Sequence, residues 1–124
     1  MFDHVSITVR DLDASVRFYT QALAALGHVC CTRDAQSASF GPEEAAALYL
    51  SARSAAGDAS APIHLALRAA TRATVDGFHR CGLAAGGRDH GGPGLRADYG
   101  PSYYAAFLLD PDGHNVEAVC LGER

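Results

Sequence analysis

The sequence predicts an α+β fold built from two tandem β-α-β-β-β modules. Three observations predict it: residues recur at an offset of about sixty, short runs alternate apolar and polar as strands do, and a helical spacing follows each leading strand. His4 lies sixty positions before His64, and "LAALGH" (23–28) lies sixty before "LAAGGR" (83–88). "ASVRFY" (14–19) answers "ATVDGF" (73–78) at an offset of fifty-nine. Self-similarity at a fixed offset marks a duplicated unit. The 124 residues read as one domain, with module one over 1–55, module two over 61–124 and "RSAAGDASA" (53–61) as the linker.

The first strand is "HVSITV", with Val5, Ile7 and Val9 on one face and His4, Ser6 and Thr8 on the other. A helix follows in "RDLDASVRFYTQALAALGH". Asp11 or Asp13 can cap its start, Val16, Tyr19, Leu23 and Leu26 recur at helical spacing, and Gly27 stops it. Segments 29–33, 36–40 and 46–51 are strand-like and divided by turn residues such as Gly41-Pro42. In module two, "IHLALR" sets Ile63, Leu65 and Leu67 against His64, Ala66 and Arg68. The next helix, "TRATVDGFHRCGLAAGG", has Thr71 as a cap, Val75, Phe78 and Leu83 turned inward, and Gly86-Gly87 as its stop. "YYAAFLL" and "NVEAVC" are strands joined by the turn "DPDGH". Between helix and strands lies "RDHGGPGLRADYGPS" (88–102), whose Gly and Pro content predicts an irregular loop serving as a site wall or lid.

Apolar residues make up 48% and charged residues 19% of the chain, which excludes wholesale disorder. A net charge of −4 without a Lys/Arg cluster argues against nucleic acid as a partner. The start "MFDHVSITVRD" lacks a signal peptide's apolar run, and no segment is long enough to span a bilayer, so the expectation is a cytoplasmic protein without a membrane partner. Cys30, Cys31, Cys81 and Cys120 form no C-x-x-C pair and read as reduced, partly buried thiols.

The duplicated module, the "DHV" opening, the second-module strand led by His64 and the closing "DPDGHNVE" together resemble the vicinal oxygen chelate superfamily. That group includes glyoxalase I, extradiol dioxygenases, fosfomycin-resistance proteins and bleomycin-binding proteins. The resemblance implies curved mixed sheets around a concave site. It also implies a divalent metal ion (Fe, Mn, Zn or Ni) held by His4, His64 and Glu117, and a homodimer. The strand alternation agrees, because it puts each of the three off the apolar face. Two imidazoles and a carboxylate leave coordination positions open for two adjacent oxygens of a small-molecule substrate, with Glu117 also available to the reaction. The resemblance implies that Phe107 faces the pocket, and strand alternation from there places Ala105 and Tyr103 on the same side. Tyr103 is there a substrate-orienting hydroxyl or proton donor, or else simply a core or rim tyrosine. Ser6, Thr8, Leu48, Leu50 and Arg68 complete the expected substrate pocket.

The chain departs from each activity of that group. Glyoxalase I adds a carboxylate on the last strand of module one, where "AALYLSA" (46–52) has none. Extradiol dioxygenases carry a tyrosine where this chain has Phe107. The reaction therefore stays open among lyase, isomerase, oxygenase and electrophile-opening chemistry. A metal-free small-molecule binding or resistance protein of the bleomycin-binding kind is the alternative.

Overall fold

The computed structural model describes residues 1–54 and 61–122, so most of the expected linker lies outside the described residues. Both modules form as predicted. Module one is β1 (Val5–Val9), α1 (Leu12–Ala24), β2 (Val29–Arg33), β3 (Ser37–Gly41) and β4 (Leu48–Ala52). Module two is β5 (His64–Arg68), α2 (Arg72–Ala84), β6 (Arg88–Leu95), β7 (Tyr104–Leu109) and β8 (Asn115–Cys120). Each makes a four-stranded sheet of the same order, β1-β4-β3-β2 and β5-β8-β7-β6, in which only the first pair is parallel.

Local chemistry accounts for the helix ends. Asp11 accepts from the Ala14 N–H at the start of α1. At its end Gly27 takes φ 87°, while the His28 and Gly27 N–H groups close onto the Leu23 and Ala24 carbonyls. Thr71 and Thr74 form a reciprocal capping box at the start of α2. Leu83, expected inward, is exposed instead, and the buried position is Gly82. A side chain at 82 would collide with Leu108 and crowd Phe18 and Ala22, so glycine lets α2 approach α1 and the sheet closely.

The segment 88–102 corrects the prediction of an irregular loop. Residues 88–95 pair with β7 as the edge strand β6, through two register shifts that absorb its Gly-rich stretch. An edge position lets Pro93 sit without a donor, and bulges accommodate glycine, so composition alone misled here.

Val9, Phe18, Tyr19, Leu50, Val75, Phe78, Leu108 and Val116 belong to one continuous core shared by both modules. Helices α1 and α2 pack against one another and on the apolar faces of their own sheets. The polar sheet faces, bearing His4 in one module and His64 in the other, consequently lie on the sides away from the helices. A clasp also ties module one to the β7–β8 turn. Tyr19 donates to Asp110 at 2.5 Å, and Arg10 meets Asp112 at 3.0 Å through both its backbone N–H and its Nε.

Candidate functional site

Strand register decides which side chains share a face. In module two, Ala66 pairs with Glu117 and Glu117 with Phe107. His64, Ala66, Arg68, Tyr103, Phe107 and Glu117 therefore stand on one face, as the alternation predicts. Within it, the His64 Nε2–H donates to Glu117 Oε1 at 2.9 Å, and the Tyr103 hydroxyl donates to Glu117 Oε2. Glu117 is only 3% exposed, whereas His64 is 48% exposed. A carboxylate sunk in the sheet thus has both oxygens held by groups that reach solvent. The His64 and Phe107 rings lie 6.2 Å apart, and Tyr99 meets Tyr103 edge-on at 5.2 Å. Arg68 is exposed on the same side.

Burial and the hydrogen bond to Glu117 push the Tyr103 phenol up to about 12, with the charges of Glu117 and Tyr99 adding to the rise. A raised folded-state value means that stability from this phenol is fully present below the ordinary value near 10 and is lost as pH climbs from about 10 to about 12. In an ultraviolet titration, the difference between the wild type and Tyr103→Phe should therefore be a phenol ionising near pH 12. A difference spectrum centred near 10 would contradict the hydrogen bond.

Module one carries a parallel face that lacks the carboxylate. Ser6 pairs with Tyr49 as Ala66 pairs with Glu117, so Tyr49 occupies the position equivalent to Glu117. His4 and Tyr49 meet edge-on at 5.2 Å, with Ser6 and Thr8 further along the same face. The His4 Nδ1–H donates to Asp3 at 2.7 Å, and Nε2 has no hydrogen-bond partner among the described residues. A carboxylate behind one imidazole nitrogen is the usual way to orient the other toward a metal. Leu48 and Leu50, expected at the pocket wall, register beside Val5 and Ile7; Leu50 is fully buried in the core, while Leu48 is mostly buried and still borders the groove that His4 and His64 line. Their face is opposite to that of His4 because β1 and β4 pair in parallel at Val5–Leu48, a match no local pattern reveals.

His4, His64 and Glu117 are not brought together within one chain: among the described residues no three His, Cys, Asp or Glu side chains form a metal-holding group. Two of the three donors do meet. The 2.9 Å between His64 Nε2 and Glu117 Oε1 suits a hydrogen bond, and equally two neighbouring donors on one divalent ion. His4 and His64 both border an apolar groove of about 400 Å³ where the modules meet, while Glu117 and Tyr103 do not line it.

Sequence reasoning missed one contributor, Tyr49, and could not place a second, Arg96. Tyr49 was hidden by the unknown register. Arg96 lies 5.3 Å over the Phe107 ring, although it sits in the segment taken as a loop. His28 and His79 are half-buried, and His79 pairs with Asp89 at 2.9 Å.

The model of the glyoxalase/bleomycin resistance protein/dioxygenase superfamily matches residues 1–118. Solved structures agree in fold. A glyoxalase/bleomycin resistance protein from Albidiferax ferrireducens T118 aligns with TM-score 0.80 and 29% identity, over 97% of this chain and 98% of its own. A glyoxalase-related enzyme from Fulvimarina pelagi aligns with TM-score 0.74 at 19% identity, over 97% and 87%. A glyoxalase/bleomycin resistance protein/dioxygenase family enzyme from Burkholderia phytofirmans PsJN gives 0.73 at 21%, over 96% and 97%. No curated protein matches the sequence.

Proposed function

The chain belongs to the glyoxalase/bleomycin resistance protein/dioxygenase superfamily, and on that premise we propose that it is a small-molecule enzyme, working as a cytoplasmic homodimer with a divalent ion shared between subunits. The ion is held by His64 and Glu117 of one copy and His4 of the other. The observation that carries this reading is the pair formed by buried Glu117 and half-exposed His64 on a sheet face the chain's own helices leave uncovered. His4 supports it from the opposite direction, with no partner for Nε2 among the described residues and Nδ1 fixed by Asp3 on a second uncovered face. When bound, such an ion supplies Lewis acidity toward two adjacent substrate oxygens. The protein's own part is positional. Tyr103 holds one oxygen of Glu117, His64 holds the other, and the phenol keeps its proton at neutral pH for use as a hydrogen-bond or proton donor. No helix among the described residues is long and apolar enough to cross a membrane.

A specific observation favours a second reading, metal-free small-molecule binding: Glu117 is already satisfied on both oxygens without an ion. Elemental analysis of untagged protein, purified without chelators, separates the two. The enzyme reading expects about one ion per chain, lost in His4→Ala and in His64→Ala. Mixing those two variants should restore about a quarter of the wild-type content, because only heterodimers contain an intact site, one of their two. No stoichiometric ion in the wild type supports the binding protein instead, and no restoration on mixing defeats the shared site.

A further inference from the structure

We propose that Arg96 is an anion-recognising residue of the second-module face, and that the ligand is a small molecule carrying a carboxylate, phosphate or phosphonate beside its oxygen functions. This rests on the reading that the face bearing His64, Glu117 and Tyr103 is the ligand site. The guanidinium lies 5.3 Å over the Phe107 ring, and that ring lies 6.2 Å from His64, so guanidinium and imidazole are within about 11.5 Å. A small organic acid can bridge that span.

Arg96 is held rather than loosely solvated. Its Nη2 donates to the Gly92 carbonyl at 2.6 Å. A Cβ at Gly91 would come within 2.9 Å of Phe107 and 3.3 Å of Nη2, and one at Gly94 within 3.0 Å of Nη1. Two positions of β6 thus stay bare, and the guanidinium lies in the space they leave. No Asp or Glu among the described residues forms an ion pair with it. A pre-positioned planar fork with donors to spare, on an aromatic face, matches a carboxylate or phosphate oxygen pair. Glu117 at the other end repels a second negative charge, which fixes polarity: the anionic group sits at Arg96 and hydroxyl or carbonyl oxygens at the His64–Glu117–Tyr103 end.

The test follows the arginine Nε–Hε signals of isotope-labelled protein during titration with lactate, inorganic phosphate and, as an uncharged control, 1,2-propanediol. Expected are saturable shifts of the Arg96 signal with lactate or phosphate and none with the diol. Affinity for the anion should fall at least tenfold in Arg96→Gln and less in Arg96→Lys, which keeps the charge without the fork. Lactate binding with phosphate silent assigns a carboxylate, and the reverse assigns a phosphate or phosphonate. Unchanged anion affinity in Arg96→Gln, or no response of Arg96 to either anion, overturns the proposal. Should Arg96→Gln fail to fold, the wild-type titration and Arg96→Lys decide. The signals are read with and without added divalent ion, so a failed metal reading leaves the arginine result intact.

Discussion

Asp110→Ala is expected to lower folding stability by about 3–5 kcal/mol, the cost of leaving several buried donors without their acceptor. Asp110 is 1% exposed and accepts three hydrogen bonds: from the Tyr19 hydroxyl at 2.5 Å, the Asp112 N–H at 2.9 Å and the His114 N–H at 2.8 Å. Tyr19 is fully buried in α1, and burial beside Asp110 holds its phenol well above the ordinary tyrosine range. Alanine thus strands a phenol from module one and two amides of the turn in module two. Tyr19→Phe removes one donor and leaves the amides paired, so about 1–2 kcal/mol is expected. Urea unfolding of both variants measures the difference. A loss under about 1 kcal/mol for Asp110→Ala would mean that water enters and replaces the carboxylate.

Glu117→Ala should behave in the opposite way, with modest loss of stability and severe loss of function. Its carboxylate is as buried as that of Asp110, yet its partners, His64 and Tyr103, are not themselves buried and can turn to water. About 1–2 kcal/mol of stability is expected to be lost. Divalent-ion affinity should fall at least about a hundredfold, since even loss of a group behind a ligand costs ten- to a hundredfold. Glu117→Gln keeps the shape and an acceptor for Tyr103 while removing the charge, so it should fold within about 1 kcal/mol of the wild type and still lose the ion. Calorimetric titration with Zn²⁺ or Ni²⁺ measures the affinity, and thermal unfolding measures the rest. Ion affinity retained in Glu117→Gln would remove the carboxylate from the metal reading.

These two carboxylates show how far the sequence could be read. Glu117 was marked by the family resemblance, and the strand period of two agrees with it, while register brings it onto one face with His64, Tyr103 and Phe107. Asp110 looked like an ordinary turn residue, because its partner is ninety-one positions away on a helix, and no local spacing signals such a contact. The edge strand β6 was read as a loop for a related reason. Gly and Pro do lower strand propensity, but pairing with β7 and two bulges override it.

The sequence by itself determined the duplication, the order of every element but β6 and both helix stops, all consequences of local backbone preference and side-chain period. It also determined that His4 and His64 occupy equivalent positions. Only the tertiary structure decided that Tyr49 occupies the first-module position equivalent to Glu117, that Leu48 and Leu50 belong to the core, and that Arg96 lies on Phe107. Only packing, too, joined the modules through their helix-covered sides, so that His4 does not complete a set with His64 and Glu117 in one chain. Alternation says that a strand has two faces; which one is covered depends on register and on which apolar surfaces find each other, and both are long-range properties.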